Sequence, residues 1–170
     1  MIESFDSERL TLRPVVLDDV ENLLHLDADP EVMRFITGGR PSTREEVTAV
    51  VRAEVGHRWI AHETASGELV GWFGMRRPDD RPGEGELGYR LHRRAWGRGY
   101  ATEGARRLID LAFADLGLRR VWAETMAVNA ASRRVMERCG MTHVRTFHLE
   151  WDDPIPGTEH GEVEYEILVS

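Results

Sequence analysis

The chain has no lysine: all 22 of its basic residues are arginine, a pattern that codon bias alone can produce. The lack excludes a lysine-bearing phosphate loop, a Schiff-base nucleophile and pyridoxal phosphate chemistry, each of which needs a lysine amine. Cysteine is nearly absent too. A single residue, Cys139, excludes an intramolecular disulfide framework and any cysteine-based zinc cluster, and a reducing, cytoplasmic setting is the expectation. His57, His62, His143 and His148 show no metal-ligand spacing, so no metal is expected. No apolar run approaches the roughly 18 residues that a membrane span requires. The opening MIESFDSERL carries acidic residues and no apolar core, which does not fit a signal peptide.

What is present fits one globular domain over residues 1–170. The chain is 41% hydrophobic, too apolar for a disordered polymer. The net charge is −8, unevenly spread. Within residues 90–107, Arg90, Arg93, Arg94, Arg98, Arg106 and Arg107 face only Glu103, a local +5. Taking that from −8 leaves −13 on the rest of the chain. Nucleic-acid binding wants a broad basic face, and this chain has one basic segment on an acidic body. One polyanionic ligand held at one place, with a cationic partner elsewhere, fits better.

Residues 9–13 alternate as a short strand ended by Pro14. Leu17, Val20, Leu23, Leu24 and Asp27 fall at helical spacing, Glu31–Ile36 reads as one helical turn, and Ser42 or Thr43 before Glu45 and Glu46 opens a helix to about Val55. The period then changes to two. His57–Glu63 and Glu68–Arg76 flank a turn at Thr64–Gly67, and Glu86–Leu91 is a third strand. From Arg98 to Leu116 a long helix lines up Ala101, Ala105, Leu108, Ile109, Ala112, Phe113 and Leu116. Arg119–Thr125 is a strand, Asn129 caps a helix ended by Gly140, and Met141–Trp151 and Glu162–Val169 are two more strands. The order β-α-α-β-β-β-α-β-α-β-β predicts an α/β sandwich with about four helices.

The chemistry gathers at residues 94–102, RAWGRGYAT, between a strand and the long helix. Two glycines one residue apart let the backbone approach a ligand closely. Unpaired N–H groups and the helix dipole then favour an anion, and Arg94 and Arg98 can add charge-assisted hydrogen bonds. The dinucleotide fingerprint is incomplete, because Thr102 stands where its third glycine belongs.

Arg94-x-x-Gly97-x-Gly99-Tyr100-Ala101 resembles the acetyl-CoA signature of the GNAT superfamily of N-acetyltransferases. ELGYRLHRRAWGRGYATEGARRLIDLAF, RLTLRPVVLDD, DPEVMRFI and AVNAASRRVMERCGM resemble the branch of ribosomal-protein N-terminal acetyltransferases, in order along nearly the whole chain. Met141, after Gly140, and the long loop Asp152–His160 depart from that pattern. The resemblance implies a mixed, mostly antiparallel sheet that splays after the Glu86–Leu91 strand, with acetyl-CoA as co-substrate. Leu91, His92 and Arg93 would pair with pantetheine. Arg94, Gly97, Arg98, Gly99, Tyr100, Ala101 and Thr102 would hold the pyrophosphate.

Transfer from a thioester to an amine requires a deprotonated amine, a donor for the developing oxyanion and a stabilised thiolate. The resemblance places Asn129 against pantetheine and Ser132 near the sulfur, where a hydroxyl stabilises the thiolate by a hydrogen bond. Plain helix capping is the competing reading of both. Glu86 and Glu150 are candidate general bases, each otherwise an exposed strand carboxylate. Alternation separates Glu86, Gly88 and Arg90 from Leu87, Tyr89 and Leu91 without saying which face meets the cleft. Trp59, Trp72 and Trp151 are candidates to line an acceptor pocket, and residues Asp27–Glu46 to form much of its wall.

The expected activity is acetyl transfer to a primary amine, on a protein N-terminus or a small molecule, by direct attack in a ternary complex. A non-catalytic acyl-CoA-binding or sensing module on the same fold is the alternative. No nucleic-acid or membrane partner is expected, and monomer and homodimer both stay open.

Overall fold

The computed structural model describes residues 1–170. An eight-stranded sheet runs in the order β1-β2-β3-β4-β5-β6-β8-β7. Its strands are β1 (Phe5–Asp6), β2 (Leu10–Pro14), β3 (Arg58–Glu63), β4 (Leu69–Arg76), β5 (Glu84–Leu91), β6 (Arg120–Met126), β7 (Thr142–Phe147) and β8 (Glu162–Leu168). Every neighbouring pair is antiparallel except β5 and β6. Helix α3 (Tyr100–Ala114) makes the long crossover that a parallel pair requires. The other helices are α1 (Val20–Asp27), α2 (Arg44–Ala53) and α4 (Ala130–Arg138).

Alternation along the strands sorts the side chains into two cores. Phe73, Met75, Leu87, Leu91 and Val121 pack with Ala105, Leu108, Ile109 and Ala112 of α3 and Met136 of α4. On the opposite face, Ile60 and Trp72 pack with Leu23 and Leu26 of α1 and Val47 and Val51 of α2. Helix α2 starts at a capping box in which Thr43 and Glu46 satisfy each other's backbone N–H. Gly104 lets α3 sit directly on the sheet: a Cβ there would stand 2.3 Å from the ring of Phe73, which is fully buried. Gly104→Ala gains about 1 kcal/mol of helix propensity but overpacks a closed core, which costs about 1–3 kcal/mol. The net change is therefore expected to be destabilising, and a higher Tm on thermal denaturation would contradict it.

Three sequence expectations shift. A two-residue strand, β1, precedes the first expected one and is too short to show alternation. Glu31–Ile36 is a run of turns rather than helix. The strand expected over Met141–Trp151 ends at Phe147, where its pairing with Glu162 is the last in the β7–β8 ladder.

Candidate active site

Strands β5 and β6 pair only over Glu84–Glu86 with Arg120–Trp122. Beyond that point β5 continues against β4 as far as Leu91, and β6 turns to pair with β8 alone. The sheet therefore opens into a V with strand backbone along both walls, a shape that admits an extended ligand as a surrogate strand. Its mouth leads to the glycine-rich turn. Gly97 and Gly99 hold φ of 70° and 82°, values that a residue with a Cβ rarely adopts. The backbone N–H groups from Gly97 to Thr102 donate no hydrogen bond inside the protein, and the first donation, from Glu103 to the Gly99 carbonyl, is 3.0 Å long. A run of free donors at the start of a four-turn helix is suited to a diphosphate.

The arginines there are less free than their sequence suggests. Arg93 meets Asp29 at 2.9 Å, Arg94 meets Glu68 at 3.0 Å and Arg98 meets Glu63 at 3.1 Å. All are surface pairs, each contributing about 0–1 kcal/mol, so a phosphate can displace the carboxylates at small cost. Tyr100 is buried and donates to Glu63, which makes it a packing residue. The carbonyl of Leu91 accepts from the Trp96 indole at 2.9 Å, and the N–H of His92 donates to Val70 at 2.9 Å, so part of the backbone assigned to the pantetheine is already engaged. Ala101 follows Tyr100 in the first turn of α3, and the Thr102 carbonyl faces the Cys139 thiol at 3.8 Å. Burial pushes that thiol up to about 11, so it is unreactive.

Asn129 is the N-cap of α4: its Oδ1 accepts from the Ser132 N–H at 3.3 Å. The Ser132 hydroxyl does not take part in the cap. It lies 2.9 Å from the Tyr89 hydroxyl, which also donates to the Ser132 carbonyl at 3.2 Å. This pair joins β5 to α4 across the V. Desolvation holds the Tyr89 phenol above its ordinary range, so it stays a proton donor. Tyr89 was visible in the sequence only as one side of an alternating strand.

Glu86 faces the side of α1 and α2, where Arg76 binds its carboxylate with a contact of 2.8 Å. Glu150 is not in a strand, contrary to expectation. It lies beyond the end of β7, exposed and without a hydrogen-bond partner, because the alternation of 141–151 outlasts the β8 pairing. Two carboxylates that sequence reading missed share the face of Glu86. Glu124 lies on β6 just past the last β5 pairing, its side chain 30% exposed, with only Arg145 at 3.9 Å as counter-ion. Its pKa is raised by desolvation, then by the charges of Glu86 and Glu164. Glu162, on β8, is buried with Oε1 unpartnered, and desolvation and Glu124 raise its pKa.

A carboxyl raised by folding binds a proton more tightly in the native state, so it stabilises least where it is forced to ionise. Stability falls as pH climbs from the unfolded pKa through the raised native one. Glu162→Gln is therefore expected to raise Tm by a few degrees at neutral pH, with the gain vanishing in acid. A gain of the same size at every pH would show another cause.

A second opening lies between α1, α2 and the sheet, a cavity of about 230 Å³. Its walls include Asp27, Met33, Arg40 and Ser42 from the segment expected to line the acceptor, together with Trp72 and Arg90. Trp59 packs instead in the other core, and Trp151 is in the loop after β7.

A splayed mixed sheet with a free-donor turn at its mouth has the shape and the donors for an extended ligand that carries a diphosphate. The acetyltransferase (GNAT) domain model matches residues 9–142, and the chain belongs to that family. It is 40% identical to the FsC-acetyl coenzyme A-N(2)-transacetylase of Aspergillus fumigatus, over 94% of this chain and 73% of the relative. A GNAT-family acetyltransferase structure from Bacillus anthracis superposes with a TM-score of 0.81 at 26% identity, covering 97% of this chain and 98% of that one. A ribosomal L7/L12 N-terminal acetyltransferase in complex with coenzyme A shares the fold, with a TM-score of 0.80 at 18% identity over 98% of both chains. The chain is thus an N-acetyltransferase.

Proposed function

We propose that the chain transfers the acetyl group of acetyl-CoA to a primary amine, on a small molecule or a protein N-terminus, by direct attack in a ternary complex. The observation that carries this is the V between β5 and β6, with free N–H donors from Gly97 to Thr102 at its mouth and Glu124, Glu86 and Ser132 on its walls. Residues Arg94, Gly97, Arg98, Gly99 and Ala101 hold the diphosphate, while Arg93, His92, Leu91 and Asn129 flank the pantetheine. Bound acetyl-CoA supplies an activated acyl carbon with a thiolate leaving group. Glu124 takes a proton from the entering ammonium, which frees its lone pair for the carbonyl carbon. As the C–N bond forms and the C–S bond breaks, the Ser132 hydroxyl hydrogen-bonds the departing thiolate, backed by Tyr89, and the second proton shed by the nitrogen leaves coenzyme A as the free thiol. Glu86, held by Arg76, is the weaker candidate for the base.

Two acceptor classes have support. The ribosomal-protein branch is favoured by the quoted sequence stretches. A small-molecule amine is favoured by the relative named for an N(2) transfer. Isothermal titration with acetyl-CoA, with coenzyme A and NADH as comparators, tests the reading. Binding of acetyl-CoA at one site without binding of NADH is expected, followed by acetylated product in an amine screen read by mass spectrometry. Binding without any acceptor turnover, indifferent to changes at Ser132 and Glu124, would favour a sensing module.

A further inference from the structure

The charges around the cavity beside α1 and α2 can be paired off. Arg90 donates to Asp27 at 2.8 Å, and Asp27 also accepts from Ser42 at 2.6 Å. Arg40 meets Glu46 at 3.2 Å. Arg58 is left. Its guanidinium makes no hydrogen bond or ion pair within the protein, its Nε is buried without a partner, and its central carbon lies 3.7 Å from the Trp72 ring centroid. Burial depresses its pKa to about 10, with the neighbouring charge of Arg90 adding to the fall and Glu54 and Asp27 opposing it. A cation in such surroundings persists only at a cost, unless something with the opposite charge enters.

Trp72 holds the guanidinium by a cation–π contact and leaves its fork of donors for a planar, two-oxygen anion, which is carboxylate geometry. The sheet places this group beside the chemistry. Arg58 is in register with Gly74 on β4, and Gly74 with Gly88 on β5, two residues from Glu86 on the same face. A cavity of about 230 Å³ has room for a small molecule or one residue rather than a folded chain.

We propose that the acceptor is an amine that also carries a free carboxylate, an amino-acid-like substrate whose carboxylate pairs with Arg58 while its amine reaches the V. This rests on the N-acetyltransferase reading and narrows its substrate class. A protein N-terminus would present a peptide carbonyl at that place and leave Arg58 unneutralised.

The test compares matched acceptors by thiol release from acetyl-CoA: L-ornithine against putrescine and ornithine methyl ester, and L-phenylalanine against phenethylamine and phenylalanine methyl ester. In at least one set the free acid is expected to show kcat/KM about tenfold or more above both partners. Arg58→Met, which keeps the aliphatic bulk over Trp72, is expected to bring that ratio close to one. Arg58→Lys is expected to keep part of it. Acetyl-CoA binding by titration reports whether each variant is folded, and if Arg58→Met is not, the wild-type ratios and Arg58→Lys still decide. Equal or better turnover of amines or esters, or a ratio that survives in folded Arg58→Met, overturns the proposal. Acetyl-CoA binding with no turnover of any free acid overturns it as well while leaving the cofactor site standing. Loss of acetyl-CoA binding by the wild-type protein would instead remove the transferase reading beneath it.

Discussion

Glu124→Gln is expected to lower kcat by about 10²–10³-fold at neutral pH, within the range for a positioned general base. An alkylamine with a pKa near 10.4 is almost wholly ammonium at neutrality, so the enzyme must remove a proton before nitrogen can attack. Glu124 suits this better than Glu86. Arg76 already holds the Glu86 carboxylate in an ion pair, so that carboxylate is occupied before any ammonium arrives. Glu124 has only a distant counter-ion at 3.9 Å, and desolvation, Glu86 and Glu164 make its charged form less comfortable, so it accepts a proton more readily. The same environment fixes the sign of the pH profile. Wild-type activity falls when Glu124 is protonated, and the raised pKa moves that acid limb upward from the ordinary carboxylate range. In the glutamine variant the limb disappears, and the rate climbs with pH only as the free amine becomes available. The deficit should therefore shrink toward alkaline pH. Initial rates of thiol release across that range check the expectation. If Glu86→Gln shows the large, pH-relieved loss and Glu124→Gln stays within a few-fold of wild type, the base is Glu86.

The sequence showed those parts of the site that depend on neighbours along the chain. The spacing of Ala105, Leu108, Ile109 and Ala112 marks the buried stripe of α3, and the structure buries all four. Gly97 and Gly99 mark the turn because their positive φ is a local demand. Asn129 marks a helix start because a cap reaches only three residues forward. What stayed hidden depends on long-range register. Glu124 and Glu162 come together only because β6 lies beside β8. Asp29, after α1, and Glu63 and Glu68, on the β3–β4 hairpin, reach the loop arginines from distant parts of the chain, so a net charge counted along residues 90–107 overstated the free positive charge. Glu150 was misplaced for the opposite reason: alternation continued in the sequence past the point where a partner strand was available.

Ser132→Ala is expected to reduce kcat by about tenfold to a hundredfold, toward the low end of what proton donation contributes. The substitution is unusually clean. The cap on α4 is made by the backbone N–H of Ser132 and the side chain of Asn129, so alanine keeps it, and only the hydroxyl facing Tyr89 is lost. A free thiol has a pKa near 8.5, so its thiolate departs without full protonation, and one hydrogen bond moderates the barrier rather than creating it. That limits the effect and also gives it a signature. A thioester of a more acidic thiol needs less help, and its deficit with Ser132→Ala should be smaller. Tyr89→Phe should act through the same hydrogen bond, because the phenol stays protonated and its hydroxyl lies 2.9 Å from the serine hydroxyl. The double variant should then lose less than the product of the two single losses, the sign of groups that act as a unit. Multiplicative losses would mean that Tyr89 and Ser132 act separately. An unchanged kcat in Ser132→Ala, with acetyl-CoA still bound, would reduce the serine to an ordinary residue of the first turn of α4 and leave the thiolate to be stabilised by backbone donors in the V.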